Sequence, residues 1–235
     1  MPRALVRAGA TLIVLALAIF IFTNTAYFRV QDVRVEGAKK ATPFEVMSLS
    51  GISSGMHMFE FNAAKVESAV ESHPWVRRAR VRREFPGKVI IQVTERSPAA
   101  TLPYYNGFLV IDDDAHVVDF LASGDIPWPV ITGFTPVESV VGDHLSSSLI
   151  SAGLRCVVAL TPAIREKLSE VAVDRNDEIT LILMGGMRVL FGQADAQAPR
   201  KFKLLESVLE DIVKNKMDVQ YVDLRYGNPF VKTKK

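Results

Sequence analysis

Residues 74–96 read PWVRRARVRREFPGKVIIQVTER, and this stretch decides how the first half of the chain is understood. Two extended runs, 75–84 and 89–95, are rich in β-branched and long side chains and are separated by Phe85-Pro-Gly-Lys88. A Pro-Gly turn between two such runs predicts a hairpin. Strand alternation puts Arg78, Arg80 and Arg82 on one face and Ala79 and Val81 on the other. Arg78, Arg80 and Arg82 are therefore expected to form a solvated face of a two-sided sheet. A single-strand nucleic-acid groove would interleave stacking aromatics, and none interrupts these arginines.

Working back from the hairpin, Pro74 ends the preceding helix near Ser72. That helix carries Ala63, Val66, Ala69 and Val70 and starts at a capping Asn62. Further back, Thr42-Pro-Phe-Glu45 supplies an N-cap, a proline at the first helical position and a glutamate that completes a capping box. The helix it opens carries Phe44, Met47 and Leu49 and stops at Gly51. Before it, Val33 and Val35 alternate with Arg34 and Glu36, and Gly37 closes a short strand. Strand, helix, helix, strand, strand over residues 29–97 predicts an α+β unit with its helices on one face of a small sheet.

No residue between Arg7 and Arg29 is charged. As a helix, residues 8–28 would run about 30 Å, the thickness of a bilayer's hydrocarbon core. A cleaved signal peptide would need a shorter apolar core and small residues at the cut, which Asn24 and Ala26 fit poorly. A single uncleaved transmembrane helix is expected, with residues 1–7 retained as a short cytoplasmic tail by Arg3 and Arg7 and the remainder outside the cytoplasm. Tyr27 and Phe28 sit where an interfacial aromatic anchor belongs.

Composition narrows the function classes. With 28 basic against 26 acidic residues the net charge is +2, so no global field draws the chain to nucleic acid. Apolar residues at 49% and charged ones at 23% are a globular composition rather than a disordered one. The single cysteine, Cys156, lies in an apolar run at helical spacing and is expected to be a buried structural thiol.

Beyond Pro98 short strands are expected at 108–111 and 117–120, around the turn Asp112-Asp-Asp-Ala115. A proline-containing link, 126–133, leads to a helix over 145–160, for which Ser146-Ser-Ser148 reads as the start, and a shorter helix follows Pro162. Strands at 171–173, 179–183 and 187–191 are joined at Asn176-Asp177 and Gly185-Gly186. A helix over 199–214 has Phe202, Leu205, Val208, Leu209 and Ile212 on one stripe, and a last strand covers 219–224.

The chemistry-bearing residues point away from catalysis. Asp112, Asp113 and Asp114 do not have the spacing of a calcium loop, and carboxylates are ordinary in tight turns. His57, His73, His116 and His144 are scattered, with no pair at metal-ligand spacing. There is no nucleophile elbow, no Ser-x-x-Lys and no phosphate loop. No enzyme activity, cofactor or metal is expected. The informative feature is the final strand, whose outer edge would offer unpaired backbone groups to another chain.

Several of these residues together resemble a POTRA module of the form found in the FtsQ/DivIB family. They are Phe28, Val30, Val33-Arg-Val-Glu-Gly37, Pro74-Trp75-Val76, Ala79, Val81, Arg83-Glu-Phe-Pro86, Val93-Thr-Glu-Arg96, Pro98 and Ala100. The second half, residues 98–226, is similar to that family's β domain at Gly107, Val110, Asp112, Gly186, Val189, Gly192, the 201–204 helix segment and Asp223-Leu-Arg-Tyr226. The resemblance implies a mixed β domain with flanking helices and a non-enzymatic scaffold of the divisome. It further implies that the C-terminal strand receives an FtsB/DivIC-like subunit held with an FtsL-like one, helping to control septal peptidoglycan synthesis at the inner membrane. The implied contact residues are Val222, Asp223, Leu224, Arg225, Tyr226 and Phe230, with Arg225 available for a carboxylate and Tyr226 as aromatic anchor. Residues 227–235 are a C-terminal tail, of which 227–231 extend the site and 232–235 are expected to be disordered. The POTRA domain would be a second docking surface for other division proteins. POTRA modules also belong to outer-membrane assembly factors, a reading that requires a barrel of many amphipathic strands after the module.

Overall fold

The structure, a computed structural model, describes every residue except Met1, Asn24, Ser123, Asp125, Val137, Gly227 and Lys235. For residues 2–6, 19, 20 and 23 it describes the backbone alone. The chain divides into two units, Met1–Glu95 and Arg96–Lys235. The first opens with α1 (Pro2–Thr23), which stops ahead of the boundary expected at 28 and gives way to a single 3-10 turn, Ala26–Phe28. Among the described residues no helix is long and apolar enough to cross a membrane, so the spanning reading rests on the sequence.

The remainder of this unit is β1 (Asp32–Glu36), α2 (Pro43–Ser50), α3 (Ala63–Glu71), β2 (Val76–Glu84) and β3 (Lys88–Glu95), the order expected of a POTRA module. The capping box closes as its sequence demands: the Glu45 N–H donates to Thr42 Oγ1 at 3.2 Å, and the Thr42 N–H donates to Glu45 Oε2 at 2.8 Å. Gly51 ends α2 in the left-handed region at φ 63°, which glycine reaches without a Cβ penalty. In the sheet, β3 is central, parallel to β1 and antiparallel to β2. Edge strand β2 is guarded: the Ala79 and Val81 N–H groups donate to Glu71 Oε1 at 2.9 Å and Glu67 Oε1 at 2.8 Å, both carboxylates coming from α3.

Two side-chain placements go beyond the sequence reading. Helix α2 buries Val46 and Ser50, while Phe44 stays 75% exposed and Met47 and Leu49 are also on the outside. Arg83, on the opposite face from Arg78, Arg80 and Arg82 by alternation, is half-buried. Its guanidinium donates to the carbonyls of Met58 at 2.7 Å and Phe61 at 2.6 Å and lies 4.3 Å from the Phe61 ring centroid. It pins the loop between α2 and α3, whereas Arg78, Arg80 and Arg82 do face outward.

The second unit is a mixed nine-stranded sheet. It contains β4 (Pro98–Tyr104), β5 (Gly107–Asp112), β6 (Val117–Leu121), β7 (Val130–Thr132), β8 (Leu168–Val173), β9 (Ile179–Leu183), β10 (Arg188–Gly192), β11 (Val219–Asp223) and β12 (Phe230–Thr233). Their spatial order is β12-β11-β10-β9-β8-β7-β4-β5-β6. Helices α4 (Ser148–Ala159) and α5 (Pro162–Arg165) cross from β7 to its parallel neighbour β8, and α6 (Ala198–Lys214) crosses from β10 to parallel β11. Helix α4 meets α6, so both crossovers cover the same face, as crossovers of one hand in one direction must.

The stripe of α6 is buried in full, with Phe202 stacked on Phe191 at a centroid distance of 4.6 Å. Cys156 lies in the same core, and burial pushes its thiol up to about 12. Among the described residues β12 and β6 do not pair with each other, and the strands are interrupted by helices, unlike the continuous run of amphipathic strands a barrel needs. Strand β7 falls inside the expected link 126–133, and β4 and β12 are likewise absent from the sequence reading. The latter overturns two expectations: residues 232 and 233 are strand rather than disordered tail, and β11 is not the edge of the sheet.

Candidate functional site

The far end of the sheet is built by register. Strand β10 pairs in parallel with β11 through Arg188↔Tyr221, Val189↔Val222 and Leu190↔Asp223, and β12 closes antiparallel on the other side with Val222↔Val231 and Asp223↔Phe230. Alternation then sorts the expected contact residues. Val222 and Leu224 turn into the helix-covered core and are buried, so neither side chain can meet a partner. Asp223 faces the other way and is already engaged by Arg225, whose Nη2 donates to Oδ2 at 2.7 Å and whose Nε donates to Oδ1 at 3.0 Å. The carboxylate expected from a partner is thus supplied within the chain. Gly227 and Lys235 of the expected tail lie outside the described residues.

Three of the six are exposed: Tyr226 at 80%, Phe230 at 59%, and Arg225, whose guanidinium is already held by Asp223. The Arg225 guanidinium sits 5.3 Å from the Tyr226 ring centroid. Beside Tyr226 a groove of about 490 Å³ runs between Glu178, Thr180, Leu190 and Arg225. On β12 itself Lys232 Nζ lies 5.7 Å over the Tyr221 ring, and the Lys234 N–H donates to the Asp218 carbonyl at 2.8 Å. Among the described residues no strand pairs with the outer edge of β12. The opposite end differs, because the Val117 N–H of β6 donates to the Asp143 carbonyl at 2.8 Å. Phe230-Val-Lys-Thr, an aromatic and β-branched run after Asn228-Pro229, is the signal that identifies β12.

The Arg225 fork, its largest influence, holds the Asp223 carboxyl below its ordinary value of 3.8 against the opposing effect of partial burial. Because the folded pKa lies below the unfolded one, this contribution is complete above pH 3.8 and is lost as the pH falls from there toward the folded value. Arg225→Gln is expected to flatten the fall in melting temperature of the detergent-solubilised chain below pH 3.8. Parallel acid limbs for the two proteins would refute the linkage.

Asp112 sits in the expected turn, where it, Asp113 and Asp114 bring carboxylate oxygens within 4.8 Å of one another. It is fully buried, Oδ1 accepts from the N–H groups of Asp114 at 3.0 Å and His116 at 2.8 Å, and Oδ2 accepts from Arg96 Nη1 at 2.8 Å. A larger cavity, about 1180 Å³, lies at the start of α4 against Asp114, Ser147, Arg155 and Ala198 and contains none of the expected contact residues.

Comparison with known proteins bears on the whole arrangement. Residues 28–96 match the family POTRA domain, FtsQ-type, and residues 101–225 match the family Cell division protein FtsQ/DivIB, C-terminal. The Cell division protein FtsQ of Syntrophotalea carbinolica is 30% identical over 230 residues, covering 94% of this chain and 79% of its own. That of Anaeromyxobacter sp. is 30% identical over 203 residues, 84% of this chain and 68% of its own. The major extracytoplasmic domain of the trans isomer of DivIB from Geobacillus stearothermophilus aligns at 14% identity with a TM-score of 0.35, over 52% of this chain and 98% of that one. With both halves matched and relatives aligned over most of its length, the chain belongs to the FtsQ/DivIB family of bacterial cell division proteins.

Proposed function

We propose that this chain is a non-enzymatic divisome scaffold that captures an FtsB/DivIC-like subunit, held with an FtsL-like one, along the outer edge of β12, and so helps to control septal peptidoglycan synthesis. The observation that carries this is the edge itself: a terminal strand with no strand on its outer side among the described residues, carrying exposed Phe230 and close in sequence to exposed Tyr226. Backbone pairing gives such an edge affinity, and exposed aromatics give it anchors. The reading moves the expected docking strand outward from β11 to β12. Residues 8–28 anchor the chain in the inner membrane with the amino terminus inside and both folded units outside, and the POTRA domain serves as a second docking surface for other division proteins.

The test is a fluorescent amino-terminal fusion in cells whose native copy is depleted, combined with co-purification of the FtsB-like subunit. The variants are Tyr226→Ala, Phe230→Ala and the edge-breaking Val231→Pro. Truncating an aromatic anchor costs about 2 kcal/mol at an interface, so capture is expected to weaken more than tenfold while the exposed substitutions leave the fold intact. Capture at the wild-type level by all three variants would overturn the assignment of the edge. Normal division after depletion would overturn the scaffold role.

A further inference from the structure

The aromatic residues of the first unit are distributed unevenly. Phe28, half-buried, is the hub of a cluster drawn from four places in the chain: Phe22 on α1 and Tyr27 beside it, both at a centroid distance of 5.4 Å, and Phe59 and Phe85, both at 6.0 Å. Phe59 and Phe85 touch each other at 5.6 Å. Yet the outer members stay open to solvent, with Tyr27 and Phe22 each 58% exposed, Phe85 55% and Phe59 53%. Half-exposed rings gathered in one patch are not a core, and a contiguous apolar patch of this kind marks an interaction surface.

The backbone beneath the patch is fixed. The Met58 N–H donates to the Phe28 carbonyl at 2.9 Å, the Val30 N–H to Met56 at 2.8 Å, and the Gly55 N–H to Val30 at 2.8 Å. From the hairpin turn, the Gly87 carbonyl accepts from Gln31 at 2.7 Å and Asp32 at 3.2 Å. A Cβ at Gly87 would stand 2.6 Å from the Arg29 carbonyl oxygen, so this approach requires glycine. Arg83 holds Met58 and Phe61 from behind. Two loops distant in sequence are therefore locked to the segment through which the chain leaves α1.

We infer that Phe59 and Phe85 join Tyr27 and Phe28 in a composite platform that seats the POTRA domain in the headgroup region of a lipid bilayer. The inference rests on the proposed spanning role of residues 8–28. The bilayer is the occupant because the patch is continuous with α1 through the Phe22–Phe28 contact, and the uncharged run of α1 ends beside it. Aromatic rings at the end of an apolar span partition into the interface. The platform fixes the tilt of the domain on the membrane, which a single flexible exit from a helix would not.

The experiment uses the full chain, with Trp75 and Trp128 both replaced by Phe, reconstituted in vesicles of lipids brominated near the headgroup end of the acyl chain to read residues 59, 85 and 105, and in vesicles of lipids brominated near its methyl end to read residue 17. Single reporters are then introduced as Phe59→Trp, Phe85→Trp, Leu17→Trp and Tyr105→Trp, the last at a highly exposed position off the platform. Quenching at residues 59 and 85 several-fold stronger than at 105, together with quenching at 17, is the expected result. Quenching at 17 with residues 59 and 85 no more quenched than 105 would overturn the platform alone and leave the cluster to a protein partner. No quenching at 17 would overturn the spanning reading and the platform with it.

Discussion

Replacing Asp112 with alanine is expected to destabilise the second unit by about 3–5 kcal/mol, the cost of stripping one partner from a buried ion pair. Asp112 is fully buried, and the Arg96 side chain is only 12% exposed. Alanine would leave that guanidinium without its carboxylate and two backbone N–H groups of the turn without an acceptor. Burial decides the magnitude. The Arg225–Asp223 pair has the same short contact, but its arginine side chain is 38% exposed, so solvent screens it and its loss is expected to cost less than about 1 kcal/mol. Urea unfolding of the solubilised chain, followed by near-ultraviolet circular dichroism, measures both. Because the double change Arg96→Met with Asp112→Leu leaves no buried charge, it is expected to be milder than Asp112→Ala alone. If Asp112→Ala costs under about 1 kcal/mol, water reaches Arg96 and the pair is not desolvated.

Phe202→Ala is expected to cost a similar amount, about 3–5 kcal/mol, for a different reason. The ring is fully buried and lies nearly flat on Phe191, with an interplanar angle of 25°. Lys201 Nζ also sits over the Phe191 ring, 5.1 Å from its centroid, and donates to the Phe191 carbonyl at 3.2 Å. An alanine opens a cavity between helix and sheet that this fixed frame cannot close. Phe44→Ala is the matched control: the same residue type is removed from a helix, but from a position 75% exposed, and the change is expected to fall within about 0.5 kcal/mol. Similar losses for the two variants would mean that α2 packs against something in the folded chain.

That pair of phenylalanines shows where the sequence is legible. On α6 the apolar residues repeat over 17 residues, and such a stripe has one solution. On α2, with 8 residues, Phe44, Met47 and Leu49 count as apolar but carry too little periodicity to say which face is buried, and Val46 wins the core. Caps read well because they are local: Thr42 with Glu45, Asn62, and the glycine after α2 need no knowledge of the rest of the chain. Strand β4 reads poorly because its central residues, Ala99 to Leu102, are all buried. A strand covered on both faces shows no alternation, and its two prolines disguise it further. The candidate site was legible as a segment and not as side chains. The aromatic and polar residues of 222–230 stand out in sequence, but only the register shows that Val222 and Leu224 face inward and that Asp223 satisfies Arg225. Pairing across a sheet is decided by strands far apart in the chain, and so the true edge stayed hidden behind a short run that includes a lysine.

The parallel pairing of β1 with β3 has a mechanical consequence. The chain enters β1 at Asp32 from the side of α1 and leaves β3 at Glu95 toward the second unit. Because the strands run the same way, with Asp32 opposite Lys88 and Glu36 opposite Gln92, tension drawn along the chain pulls them in opposite directions along their common axis. Their hydrogen bonds are loaded in shear and must yield together, unlike a hairpin peeled open one rung at a time. A link of this geometry bears tension along the chain without lengthening, and its resistance is governed by the rate of forced unfolding rather than by equilibrium stability.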